Sequence, residues 1–164
     1  LSACKPIKEA INEAVNAGKL DGVSTCKELS ASDLLSEETI IKTCVTRFED
    51  DLPPWARRKL DGRGRLGGTS ANAVFSGSIT NGSGEFVVTQ LVIEVRVRET
   101  KDGPSIPYTS SFSGWFEPGS QNQVFSTEEF ANPPEDWGAI PGCGEKAEGR
   151  CWSWAIKSAK GLKI

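Results

Sequence analysis

Residues 86–98 constrain the fold most, because apolar and polar side chains alternate along the whole stretch. The two alternating sets are Leu91, Ile93, Val95 and Val97 on one side, and Gln90, Glu94, Arg96 and Arg98 on the other. A period of two with one apolar side is typical of an antiparallel strand that buries one face. A shorter strand is predicted over residues 74–80. The Asn81-Gly82 pair that follows it favours a tight turn, because both residues tolerate positive φ.

More strands are predicted downstream, at the spacing expected of hairpins. Residues 107–116 and 121–126 fit two of them, with an E-P-G-S turn between them. After a proline-rich loop over residues 131–142, residues 152–156 alternate on a last strand. Since no helical segment intervenes, these strands predict an antiparallel β-sandwich rather than a parallel βαβ sheet.

The first third of the chain has helical periodicity instead. Residues 6–18 predict one helix, with proline in its first turn and glycine just past its end. A second helix is expected to begin near Ser32 or Ser36, either of which can cap it, and to end before Pro53.

A glycine-, arginine- and serine-rich segment over residues 60–73 separates the two periodicities, and its composition is typical of a linker or loop. The chain therefore divides into a helical region over residues 1–59, this segment, and a sandwich domain over residues 74–164. The predicted fold class is α+β, with two N-terminal helices followed by an antiparallel β-sandwich.

A family resemblance lies within the sandwich region. The sequence F-S-G-S-I-T-N-G-S-G-E-F-V-V-T-Q-L-V-I-E-V-R-V, residues 75–97, resembles the opening hairpin of FxLYD-type immunoglobulin-like domains of bacterial envelope proteins. Lys101-Asp102-Gly103 stands where that family has a Tyr-Asp turn. The resemblance implies an immunoglobulin-like sandwich. It implies no catalytic residue, because the family has no shared active site.

Five cysteines bear on the compartment. Cys143 and Cys151 flank a short glycine-containing charged loop, so a disulfide there would clip a hairpin. Cys26 and Cys44 bracket the region between the predicted helices and form a second candidate pair. Disulfides favour a secreted or periplasmic location.

Cys4 is the cysteine left over from these two pairs. Leu1-Ser2-Ala3-Cys4 resembles the lipobox of bacterial lipoproteins, which implies a lipid-modified Cys4 and association with a membrane. In the alternative pairing, Cys4 bonds to Cys26 or Cys44 and another thiol stays free.

The absence of histidine excludes several chemistries. Ser-His-Asp and Cys-His catalysis and histidine-ligated metal sites are all impossible in this chain. The pairs of carboxylates are sequence neighbours, which do not face one another across a cleft as a glycosidase requires. A net charge of −3 provides no overall attraction for nucleic acid. We therefore expect no enzyme, no metal and no cofactor.

Three groups of residues are candidates for binding. A basic segment beside an aromatic residue could hold phosphate or sulfate groups of an envelope polymer, or could simply be a solvated linker. Trp152 and Trp154 share one face of a strand, either lining the core or stacking on sugars, and Trp137 is expected to be the most exposed tryptophan. The loop between Cys143 and Cys151 is the third group. The candidate residues are Trp55, Arg57, Arg58, Arg63, Arg65, Trp137, Glu145, Lys146 and Arg150.

Together these patterns predict a non-enzymatic protein of the bacterial periplasm or outer membrane, anchored through Cys4. It would act by protein–protein binding in an envelope complex, with an envelope protein as partner and no nucleic acid. One alternative is a carbohydrate-binding module that uses Trp137. The other is a secreted enzyme inhibitor that uses the Cys143–Cys151 loop.

Overall fold

The computed structural model describes residues 48–100, 102–144 and 149–163. Residues 1–47, which hold the first predicted helix, most of the second, and Cys4, Cys26 and Cys44, lie outside the described residues. The described strands are β1 (Asp50–Asp51), β2 (Leu60–Gly67), β3 (Val74–Asn81), β4 (Phe86–Arg98), β5 (Ser105–Phe116), β6 (Gln123–Ser126) and β7 (Cys151–Lys163). Two short helical turns accompany them, α1 (Pro54–Arg57) and the 3₁₀ turn η1 (Trp137–Ala139).

The strands form two antiparallel sheets. The four-stranded sheet has the order β1-β7-β4-β5, and the three-stranded sheet has the order β2-β3-β6. Hairpins join β2 to β3 and β4 to β5, whereas the β3–β4, β5–β6 and β6–β7 connections pass from one sheet to the other. The predicted antiparallel two-sheet arrangement is therefore confirmed for the described residues.

The core lies between the sheets and is organised around Phe75. The side chains of Leu91, Ile93 and Val95 on β4 are fully buried, in agreement with the alternation in the sequence. The ring of Phe75 lies 4.7 Å from that of Trp154 and 6.0 Å from that of Phe125, measured between centroids. Aromatic rings from both sheets therefore pack on one another within this core.

The Asn81-Gly82 pair forms a corner between the sheets. The Asn81 side chain is buried; its Nδ2 donates to the carbonyl oxygens of Phe86 and Phe116, at 2.8 and 3.0 Å. Its Oδ1 accepts from both the backbone N–H and the hydroxyl of Ser83. A hairpin between β3 and β4 was the expectation from the sequence, and it is wrong, because the two strands belong to different sheets.

The segment predicted as a linker contains an eight-residue strand, β2, which pairs with β3 along its whole length. Gly62 and Gly64 alternate with exposed polar residues and lie on the face of β2 that is turned toward the other sheet. A Cβ atom at Gly64 would overlap the ring of Phe75, and one at Gly62 would lie 3.1 Å from Cη2 of Trp154. Here glycine makes space for rings from neighbouring strands rather than marking a loop.

The predicted Cys143–Cys151 disulfide is confirmed, with 4.9 Å between the Cα atoms. It holds the segment before Cys143 against the start of β7. The N–H of Cys143 donates to the Trp152 carbonyl, and the N–H of Trp152 donates to the Pro141 carbonyl. The disulfide therefore fixes a strap on the outer edge of the four-stranded sheet.

Candidate binding site

The outer edge of β7 is occupied near both ends. On its inner side, β7 pairs with β4 from Cys151 to Lys163. On its outer side, Trp152 bonds to the disulfide-fixed strap, and residues 159–161 pair with the chain at Asp50, Asp51 and Leu52. Among the described residues, a single side chain covers part of the stretch between, since Nη1 of Arg57 donates to the Lys157 carbonyl at 3.2 Å.

Between these contacts, Trp154 and Ile156 present an open strand edge. The N–H and C=O groups of Trp152 both point away from β4. Because backbone groups of alternate residues face the same neighbour in an antiparallel strand, those of Trp154 and Ile156 point away as well, up to the bulge at Lys157 where the register with β4 shifts. Within the described part of the chain these four groups have no hydrogen-bond partner. We call this stretch, residues 153–156, the β7 window.

A groove of about 340 Å³ opens beside the β7 window, where the edges of the two sheets approach each other. The approach is close because Gly62 on β2 has no side chain to hold the ring of Trp154 away. The lining residues are Arg57, Arg58, Leu60, Asp61, Gly62, Trp154, Ala155 and Ile156. The groove thus combines apolar side chains, charged side chains and unpaired backbone groups.

The charge around the groove is positive. Arg57 and Arg58 line it against a single lining carboxylate, that of Asp61. Lys59 and Lys157 are exposed and directly adjacent in sequence to lining residues. In the described residues Arg58 and Asp61 form no ion pair, since the salt bridges found there involve Arg96 and Arg150. Arg58 therefore has no carboxylate partner within the described residues.

The structure divides the basic cluster that the sequence singled out. Arg57 and Arg58 line the groove, whereas Arg63 and Arg65 are exposed on β2, directly across from Ser78 and Ser76 on β3. The side chains on that outer face of the three-stranded sheet point away from the core and not into the groove. The predicted strip is thus two separate surfaces.

Trp55 lies on the same short helix as Arg57 but contacts a different part of the molecule. Its ring packs against Phe86, with 5.9 Å between centroids, and 44% of the residue stays exposed. It is not among the residues that line the groove.

The expectation that Trp137 is exposed is wrong, because its exposed fraction is 0%. The proline-rich loop folds back through η1 and inserts the indole between Phe130 and Tyr108, while Nε1 donates to the Val74 carbonyl at 3.1 Å. The carbohydrate-binding alternative therefore loses the residue on which it rested. No composition signal distinguishes such an inserted loop tryptophan from a surface one.

Arg150 forms ion pairs within the protein. Its Nη1 lies 2.6 Å from a carboxylate oxygen of Asp136, and its Nε lies 3.4 Å from one of Glu99. Glu145 and Lys146 lie outside the described residues, so the inhibitor alternative stays a prediction. Sequence reasoning placed Trp154 on the sandwich face but missed the groove, since nothing in the sequence indicates which strand becomes an edge.

Two further observations concern the described part of the chain, and a third concerns its similarity to known proteins. It contains no cluster of three or more potential metal ligands among His, Cys, Asp and Glu, and none of its helices has the length and apolar character needed to cross a bilayer. Comparison of the chain with protein-family models, curated proteins and solved structures gives no match.

Proposed function

We propose that this sandwich is a protein-binding module that takes up an extended segment of a partner protein along the β7 window. The observation that carries the proposal is the set of N–H and C=O groups on Trp154 and Ile156 that have no partner among the described residues, on a stretch of β7 between two covered ends. An added strand can pair with such an edge through main-chain hydrogen bonds, while pockets beside the edge select its side chains.

Both ends of the β7 window are closed, which limits what can bind. The strap at Pro141–Cys143 stops an added strand on one side, and Asp50–Leu52 stops it on the other. A long exposed edge would promote aggregation, and proteins usually cover such edges. The short window between two covered ends favours a brief extended segment over sheet-to-sheet stacking.

The strand order supports an immunoglobulin-like identity for this module. In that fold, strands A, B and E form part of one sheet, and strands C, F and G form the other. The order β2-β3-β6 corresponds to A-B-E, and the β4–β7 pair corresponds to C-F. The β7 window then lies where strand G would pair, a position that β1 fills only at Asp50 and Asp51.

We place this binding function in the envelope of a bacterium, with Cys4 as a lipid anchor and an envelope protein as the partner. The Cys143–Cys151 disulfide supports an oxidising compartment. An anchor would raise the local concentration of the module, so that a weak contact suffices. Intact-mass measurement and peptide mapping of the full-length product from native membranes should find a lipid on Cys4. A disulfide-bonded Cys4 would contradict the anchor but not the strand addition.

Hydrogen exchange tests the strand addition directly. In the full-length free chain, we expect the amides of Trp154 and Ile156 to exchange rapidly, while the Trp152 amide is protected through its bond to Pro141. A bound segment should slow the exchange of Trp154 and Ile156 and leave that of Trp152 unchanged. Slow exchange at both positions in the free chain would contradict the proposal, because the edge would then already be paired.

A further inference from the structure

We infer that the β7 window and its groove select an acidic extended segment, in which apolar residues alternate with aspartate or glutamate. This inference rests on the proposed function and names the chemistry of the partner.

The apolar requirement follows from the inner wall of the groove. Trp154 and Ile156 are only partly buried and face between the sheets, and Leu60 approaches from β2. Side chains of paired residues on adjacent strands lie on the same face of a sheet. A partner residue paired with Trp154 or Ile156 would therefore point its side chain toward the groove, beside the indole that packs over Gly62. An apolar side chain there gains burial against the indole.

The acidic requirement follows from the rim. Arg57, Arg58, Lys59 and Lys157 are all exposed at or directly beside the groove, against Asp61 alone. This concentration runs against the balance of the chain, whose net charge is −3. Complementary charge across an interface speeds association and excludes partners of the wrong sign.

The same charges argue against a second copy of this chain as the occupant. Pairing two β7 edges would bring the arginines and lysines of both copies together, and like charges in close contact oppose association. A partner segment rich in carboxylates removes this repulsion. It also supplies acceptors for the guanidinium of Arg58, which has no ion pair within the described residues.

Three fluorescently labelled peptides test the inference on the full-length chain. Valine alternates with glutamate in the first peptide, with glutamine in the second and with lysine in the third. We expect the glutamate peptide to bind at least about tenfold more tightly than the lysine peptide, as measured by fluorescence anisotropy at low salt. Arg58→Glu should bring the two affinities closer together, because Arg57, Lys59 and Lys157 remain, and Arg58→Gln should weaken binding of the glutamate peptide by a smaller factor. Arg65→Glu is the matched control: it reverses an exposed charge on β2 away from the groove and should change nothing.

The outcomes separate this inference from the proposed function. If all three peptides bind equally and slow exchange at Trp154 and Ile156, the acidic preference is overturned and the strand addition stands. If the glutamate peptide binds without slowing those amides, both are overturned, since the contact is then electrostatic and lies elsewhere. If no peptide binds, the inferred partner chemistry is wrong. Equal losses from Arg58→Glu and Arg65→Glu would likewise contradict a role for the groove.

Discussion

The corner at Asn81 and the β7 window treat backbone polar groups in opposite ways. At the corner, the Asn81 side chain makes four hydrogen bonds, and its own N–H and C=O bond to Ser120 and Gly119. In the β7 window, four backbone groups of Trp154 and Ile156 have no partner among the described residues. The polar groups of the Asn81 corner are thus used within the protein, whereas those of the β7 window can bond to a ligand.

Burial explains the difference. Asn81 has an exposed fraction of 0%, so any unpaired polar atom there would lose its water without compensation. The window faces outward, so water can satisfy its groups until a partner displaces it. We therefore expect changes at the corner to alter stability, and changes at the window to alter binding.

The largest effect is expected from Asn81→Leu. The substitution leaves the carbonyl of Phe116 and the N–H of Ser83 without the partner they have in the corner, and the carbonyl of Phe86 keeps only the longer bond from the Ser83 hydroxyl. Unfolding free energy should fall by about 3 kcal/mol, since each unsatisfied buried group costs roughly 1–3 kcal/mol and the groups relax together. Urea titration followed by tryptophan fluorescence measures it. The exposed Gln121→Ala is the control, and a loss below about 1 kcal/mol for Asn81→Leu would contradict the role given to the corner.

The next largest effect is expected from replacing Cys143 and Cys151 together by alanine. Loop entropy alone predicts a loss of about 2.5 kcal/mol for a loop of this length. Removal of the disulfide should also lengthen the unpaired edge of β7, because the strap at Pro141 is no longer fixed beside Trp152. Hydrogen exchange should then become faster at Trp152 while the amides facing β4 stay slow. Unchanged exchange at Trp152 would show that the strap holds its place without the disulfide.

The sequence anticipates those parts of the fold that local periodicity determines. The alternation in residues 86–98 coincides with β4, and the short charged loop between Cys143 and Cys151 correctly indicated their disulfide. Strand β2 was predicted as a linker or loop, because glycine at positions 62 and 64 is typical of loops when only the neighbouring residues are considered. Its actual role depends on Phe75 and Trp154, which belong to other strands.

The candidate site was less predictable than the fold, because it depends on which strands end up as edges. Arg57 and Arg58 were recognised as a basic cluster, but Arg63 and Arg65 were joined to them by sequence proximity and lie on another surface. The i, i+2 spacing places Trp152 and Trp154 on one face of a strand, and the sequence leaves open whether that face lines the core. The position of Trp154 at an unpaired edge follows only from the order of β7 beside β4 and β1.

The smallest effect is expected from Arg57→Ala, which removes the side-chain donor on the Lys157 carbonyl. The carbonyl lies at an exposed edge where water replaces the lost bond, so unfolding free energy should fall by no more than about 0.5–1 kcal/mol. Binding of the glutamate peptide should nevertheless weaken several-fold, since a rim cation is lost. Urea titration and anisotropy on the same preparation measure both. If Arg57→Ala instead lowers the stability strongly and leaves the affinity unchanged, the prediction is wrong. The β7 window would then stabilise the fold, as the Asn81 corner does, and would not bind a partner.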